Sequence, residues 1–222
     1  MIIVPAILAE NFEQIIEKLF FMEGLSERVQ IDLCDGVFGL EKTWLPYHEE
    51  ELPAGFSYEF DLMVINWRTY LQRVIGLSAD RVVLHVDIFS DDDIDELLEI
   101  VQRSQRYLGL SISNETDIEV LTRHIKKIQQ TYSKIFIQVM GISKIGAQGQ
   151  PFDERVLARV RFLRQEFPQL EIQVDGAMNQ ETAQKVKSSG ATCVVVGSHL
   201  FRQASTQEDV KKRFDQLQAA VN

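Results

Sequence analysis

Short runs of apolar, β-branched residues recur along the whole chain, and each is followed by an amphipathic stretch with helical spacing. Strands that alternate with helices in this way pair in parallel, so the pattern restricts the chain to βα units wound around a parallel sheet. Strand character is found at Ile2 to Ile7, Val29 to Leu33, Ser57 to Met63, Arg81 to Val86, Leu108 to Ile112, Lys134 to Val139, Glu171 to Val174 and Cys193 to Val196. Runs such as Val82-Val83-Leu84 and Val194-Val195-Val196 are apolar at every position, as expected when one face meets helices and the other fills a closed interior. The expected fold is an α/β (β/α)8 TIM barrel, one domain over residues 1–222, with its working site at the C-terminal ends of the strands.

Helical spacing predicts helices over Asn11 to Phe21, Trp67 to Ile75, Asp91 to Arg106, Thr116 to Gln130, Asp153 to Gln165, Gln180 to Ser188 and Thr206 to Ala220. Ser90 ahead of Asp91-Asp92-Asp93 reads as an N-cap with acids at a positive helix end, a capping and surface role rather than a metal site. Gly24, Gly76 and Gly190 stand where helices should stop. The crossover between the second and third strands is abbreviated, with Pro46, Pro53 and a short helical stretch around His48 to Leu52.

Composition narrows the function. Hydrophobic residues at 45% and charged residues at 25% suit a globular chain with a sizeable core. A net charge of -10 repels phosphate backbones and anionic lipid, so neither nucleic acid nor a membrane is expected as a partner. A phosphate would have to be held locally, by backbone N–H groups. Cys34 and Cys193 sit in strand-like contexts without metal-ligand spacing and read as reduced packing residues. With neither a signal-peptide pattern nor an apolar run of roughly 18 residues, the expected location is cytoplasmic, and the Asn114 to Thr116 triplet is not a glycosylation site.

The strand ends carry Asp32 and Asp35, Asp61, His85 and Asp87, Met140, Asp175 with Gly176, and Gly197-Ser198. Ionised acids are seldom buried without a partner, so Asp32, Asp61 and Asp175 at apolar strand ends stand out. Two of them can form a general acid/base pair on opposite faces of a substrate carbon, with or without a shared metal; the bland reading is that some cap helices or bind loop amides. The loop Gly146-Ala147-Gln148-Gly149-Gln150, with Asp175-Gly176-Ala177 and Gly197-Ser198, offers small residues at neighbouring strand ends, where barrels often cradle phosphate.

The segments Pro5-Ala6-Ile7-Leu8-Ala9-Glu10-Asn11-Phe12, Ile31-Asp32-Leu33-Cys34-Asp35-Gly36, Asp61-Leu62-Met63-Val64, Val174-Asp175-Gly176-Ala177 and Val196-Gly197-Ser198-His199-Leu200-Phe201 follow one another in an order that resembles the ribulose-phosphate 3-epimerases. The resemblance runs over nearly the whole chain and implies a barrel of the ribulose-phosphate-binding type. It also implies an isomerase that moves a proton at the carbon beside the carbonyl of a phosphorylated ketose. In that family two histidines and two aspartates hold a metal, and the aspartates exchange the C3 proton. The resemblance places those aspartates at Asp32 and Asp175, as catalytic residues and metal ligands, whereas the histidine positions hold Gln30 and Asp61.

An all-oxygen set of Gln30, Asp32, Asp61 and Asp175 suits Mg2+ or Mn2+ better than Zn2+. A metal-free site is physically tolerable as well, because crowded carboxylates raise one another's pKa until one stays neutral. His85 offers one nitrogen, or else simply lines the site. The family serine after the first-strand proline is Ala6, and its Pro-Gly-Phe-Gly-Gly-Gln loop is Ile145 to Gln150 here. The phosphate contacts carried over are Gly146, Gly149, Gly176, Ala177, Gly197 and Ser198. The alternative is a non-catalytic phosphosugar-binding or interaction protein descended from the same barrel. Family members often assemble; Phe20-Phe21-Met22 is either a homo-oligomer contact or the buried stripe of a helix.

Overall fold

A computed structural model describes residues 1–47 and 50–222. Eight parallel strands close on themselves in chain order: β1 (Ile2–Ile7), β2 (Arg28–Cys34), β3 (Ser57–Met63), β4 (Arg81–His85), β5 (Tyr107–Ile112), β6 (Ile135–Met140), β7 (Ile172–Asp175) and β8 (Cys193–Val196). Around them lie α1 (Phe12–Met22), α2 (Trp67–Gly76), α3 (Ile94–Ser104), α4 (Ile118–Gln129), α5 (Arg155–Glu166), α6 (Gln180–Ser189), α7 (Ser198–Phe201) and α8 (Gln207–Val221). This is the (β/α)8 barrel expected from the alternating pattern.

Where boundaries differ from expectation, local chemistry accounts for it. The predicted helix from Asp91 begins as a 3-10 turn over Asp91–Asp93, because Ser90 N and Oγ both donate to Asp93 Oδ2, at 2.7 and 2.8 Å, and tighten the first turn. The acid run also ties helices together. Asp91 accepts from His124 and Arg123 on α4, and Asp93 pairs with Arg68 on α2. Residues 50–52 form no helix; the remainder of the helical stretch expected around His48 lies outside the described residues. The four-residue α7 lies outside the predicted helices. Phe20-Phe21-Met22 divides, with Met22 fully buried and Phe20 on the surface, 55% exposed.

Successive strand side chains alternate between the two faces of the sheet. Ile7, Ile31, Phe60, Leu84, Leu110, Ile137, Val174 and Val194 point outward into one apolar layer beneath the helices. The inward positions differ from the apolar layers usual in such barrels. Val4, Ala6, Cys193 and Val195 form a small apolar cluster, while Gln30, Glu59, Asp61, Arg81, His85, Ser111, Gln138 and Gln173 are buried polar residues. At the base of this interior Arg81 bonds Glu59 and Glu171, and Arg28 reaches Glu171 at 3.1 Å. The Arg81 guanidinium also lies 3.7 Å from the centre of the Phe136 ring. Gly109 on β5 makes room for this stack: a Cβ there would stand 2.4 Å from the ring.

Gly109→Ala is therefore expected to destabilise the fold by about 1–3 kcal/mol through overpacking, with thermal unfolding as the readout. A melting temperature equal to that of the parent would show that the ring has space to yield.

Candidate active site

Period-two alternation places Gln30 and Asp32 of β2 on the inner face, and the parallel register sets Asp32 opposite Asp61 of β3. Asp175, the last residue of β7, enters the same level from across the barrel. Oxygens of the three carboxylates lie within 4.8 Å of one another. Gln30 bridges two of them: its Nε2 donates to Asp32 Oδ1 at 2.9 Å and to Asp175 Oδ2 at 3.1 Å. Asp61 is held apart from that bridge, with His85 Nε2 3.0 Å from Oδ1 and Gln138 Nε2 donating to Oδ2 at 2.8 Å.

This crowding shifts proton affinity. Burial out of water pushes the Asp32 carboxyl up to about 7, the charge of Asp61 adds to the rise, and the Gln30 hydrogen bond opposes it. Asp175 is raised well above the ordinary carboxylate range, again by burial first and then by Asp32 and Asp61. Lys18 of α1 donates to the Leu8 carbonyl at 2.5 Å and contributes a weaker opposing charge to Asp32.

Asp32 and Asp175 open into a recess walled by Met63, Met140, Ile142 and Met178. Its rim is made of Gly146, Gly149, Gly176, Ala177, Gly197 and Ser198, so all six positions expected to contact phosphate meet around one opening. No Lys, Arg or His lines it among the described residues. Gly176 has φ +102 and a Cβ there would lie 2.8 Å from Ile142, while Ala177 also adopts a left-handed backbone, φ +58. The turn is held by Thr182 Oγ1, which donates to the Ala177 carbonyl at 2.9 Å. The 145–150 loop is fastened across the mouth, where Leu40 N donates to Ile145 O and Glu41 N to Gly146 O, at 3.2 and 3.1 Å.

Other strand-end residues take structural roles. Asp35 accepts from the amides of Val37, Phe38 and Ile65, and Asp87 accepts from Thr116 Oγ1. His85 is fully buried against Phe38 and lines the site rather than opening into the recess. Asn114 is 6% exposed and donates to the Met140 carbonyl, a role incompatible with carrying a glycan. Gln138 and Gln173 also belong to this interior and lie outside the candidate residues; the signal in the sequence that marks both is an inward polar residue within an apolar strand.

The donor set fits a hard divalent cation. Three carboxylate oxygens within 4.8 Å are slightly more open than an octahedral shell with ligand distances of about 2.1 Å. Gln30 presents its nitrogen to Asp32 and Asp175, and its Oε1 is buried without a hydrogen-bond partner. Rotating that amide by half a turn would turn the unpartnered oxygen to a cation held by the carboxylates.

A family model described as the "Ribulose-phosphate 3 epimerase family" matches residues 2–201. The "Ribulose-phosphate 3-epimerase, cytoplasmic isoform" of Oryza sativa subsp. japonica is 24% identical over 99% of this chain and 96% of its own length. The "Ribulose-phosphate 3-epimerase" of Schizosaccharomyces pombe is 24% identical over 93% of this chain and 89% of its own. In fold, the chain is similar to the crystal structure of 3-keto-L-gulonate-6-phosphate decarboxylase from Vibrio cholerae, with a TM-score of 0.70, 10% identity, and coverage of 100% of this chain and 96% of the other. No helix among the described residues is long and apolar enough to cross a membrane.

Burial keeps protons on Asp32 and Asp175 that the unfolded chain releases above about pH 4, so folded stability falls as pH rises from about 4 towards 7 and stays reduced above that. Asp32→Asn is expected to raise the melting temperature by several degrees at about pH 8 and to leave it nearly unchanged at about pH 4. An added divalent cation should raise the parent's melting temperature at the higher pH and do less for the variant. Equal shifts at both pH values would exclude charge crowding as the cause.

Proposed function

The chain belongs to the ribulose-phosphate 3-epimerase family, and from that premise we propose that it epimerises a phosphorylated ketose, D-ribulose 5-phosphate being the substrate to try first, with Asp32 and Asp175 as the acid/base pair. The observation that carries this reading is the Gln30 bridge between two acids of raised proton affinity at the floor of one recess. Acids that hold a proton near neutral pH can each serve as donor or acceptor.

In the reaction one acid is ionised and the other carries a proton. The ionised carboxylate takes the proton from C3, the C–H electron pair moves into a C2–C3 double bond, and the carbonyl electrons pass to the C2 oxygen. The protonated acid then delivers its proton to C3 from the opposite face as the carbonyl re-forms. The configuration at C3 is inverted and the two carboxyls have exchanged roles. Asp61 takes no part in the proton transfer, because its oxygens are engaged by His85 and Gln138, and its remaining lone pairs are left for a cation. A divalent cation held by Asp32, Asp61 and Asp175, with Gln30 Oε1 as a fourth donor after rotation, would supply positive charge against the developing enediolate. The oxygen-only set favours Mg2+ or Mn2+ over Zn2+.

Phosphate is held by backbone amides of Gly146, Gly149, Gly176, Ala177, Gly197 and Ser198 and by the Ser198 hydroxyl, since among the described residues no cationic side chain lines the recess. Binding through amides also explains how a chain of net charge -10 accepts an anion. The barrel over residues 1–222 acts as one unit, in the cytoplasm, as the printed name of the rice relative supports.

The test is C3-proton exchange into deuterated water with D-ribulose 5-phosphate, metal-free and with Mg2+, Mn2+ or Zn2+. Exchange is expected with Mg2+ or Mn2+, and Asp175→Asn should lose about 10²–10⁴-fold. Absence of exchange under every condition, with calorimetric binding of the sugar phosphate intact, would establish a binding protein instead; absence of binding as well would remove the substrate class.

A further inference from the structure

We propose that Gln138 is the positioning residue that fixes Asp61 in the site, and that Gln173 sets the orientation in which Gln138 can do so. The inference rests on the epimerase reading for its effect on turnover, but the positioning itself follows from the hydrogen bonds. A glutamine amide has two ends of nearly equal shape and opposite hydrogen-bonding sense, and a carboxylate tolerates only the donor end. Something must therefore choose which end of Gln138 faces Asp61.

The neighbouring strand makes that choice. Gln173 pairs in register with Gln138, and its Nε2 donates to Gln138 Oε1 at 2.6 Å. With the oxygen engaged there, Gln138 Nε2 turns to Asp61 Oδ2 at 2.8 Å and to Ser111 Oγ at 3.3 Å. Gln173 is itself oriented from below, where Nε2 donates to Glu59 Oε1 at 2.8 Å and Arg81 binds the other Glu59 oxygen. Turning Gln173 over would set its oxygen against both the Glu59 carboxylate and Gln138 Oε1, two repulsions in place of two hydrogen bonds. Its own Oε1 is buried without a partner, so the observed orientation is imposed by Glu59 and Gln138 and not by anything that oxygen gains.

The chain Arg81, Glu59, Gln173, Gln138, Asp61 lies wholly inside the barrel, and the last four are 0% exposed. Its consequence is a division of labour among the three carboxylates. Asp61 is gripped through both oxygens by His85 and Gln138, which keeps it out of the recess that Asp32 and Asp175 line. Loss of the grip frees Asp61 to rotate towards the Gln30 bridge and compete for its donor.

The experiment uses the full chain, with Gln138→Met, Gln173→Leu and the double variant. In the parent, the Gln138 side-chain amide protons should exchange slowly with solvent by NMR, and Gln173→Leu should speed that exchange at least about tenfold. Each single variant should lower kcat about 10- to 100-fold with KM changed less than about 2-fold. Gln173→Leu should cause no further loss once Gln138 is Met, since both act through one contact. Gln138→Asn, which keeps the amide on a shorter arm, should also lower kcat and serves if Gln138→Met does not fold. Unchanged amide protection in Gln173→Leu, parent-like kcat in either single variant, or losses that multiply in the double variant would overturn the proposal. If the parent itself turns over no ketose phosphate, the epimerase reading fails while the amide protection still decides the positioning.

Discussion

A closed barrel limits each inward side chain to the partners that the other strands present near its own level. Every polar group in this interior therefore depends on register. Asp32 faces Asp61 because β2 and β3 pair residue for residue, and Gln173 reaches Gln138 because β6 and β7 do. Shifting one strand by one residue would exchange its polar inner face with the apolar outer face. The charged base formed by Arg28, Glu59, Arg81 and Glu171 is tied to the same condition, as a buried ion loses several kcal/mol when its partner is removed.

Upon that lattice rests a cluster that works against stability. Three largely buried carboxylates crowd one end of the barrel interior, and among the described residues no Lys, Arg or His lines the recess above them. Gln30 partly offsets the repulsion by giving both hydrogens of one amide to Asp32 and Asp175. An amide is a weaker counterweight than a cation or a charged imidazole, so the two acids retain high proton affinity. That same affinity is what a reversible proton transfer on two faces of one carbon requires. The strained Gly176-Ala177 turn beside them belongs to the same region, which is where backbone strain is commonly concentrated in working sites.

Much of this was legible in the sequence because it follows from periodicity. The β-branched runs and their spacing located all eight strands to within a residue or two, and the strand ends then identified Asp32, Asp61 and Asp175. The six small residues expected to contact phosphate do share one rim. Less legible was whatever depends on contacts between distant strands. Asp35 and Asp61 look alike as strand-end acids, yet Asp35 binds three loop amides while Asp61 joins the buried cluster. Gln138 and Gln173 are 35 positions apart and meet only because β6 and β7 pair in this register. The 3-10 turn at Asp91–Asp93 arose from a side-chain contact too local for helical periodicity to show.

Asp32 keeps its proton towards neutral pH, and the Asp175 carboxyl is raised well above the ordinary carboxylate range, because both are buried close to Asp61. Carboxyl carbon NMR across pH, on the metal-free chain labelled at aspartate, measures this directly. The expected midpoint is about 7 for Asp32, and for Asp175 it lies well above the ordinary value of about 3.9. Titration of both residues near that ordinary value would contradict it, and with it the assignment of the pair as proton carriers.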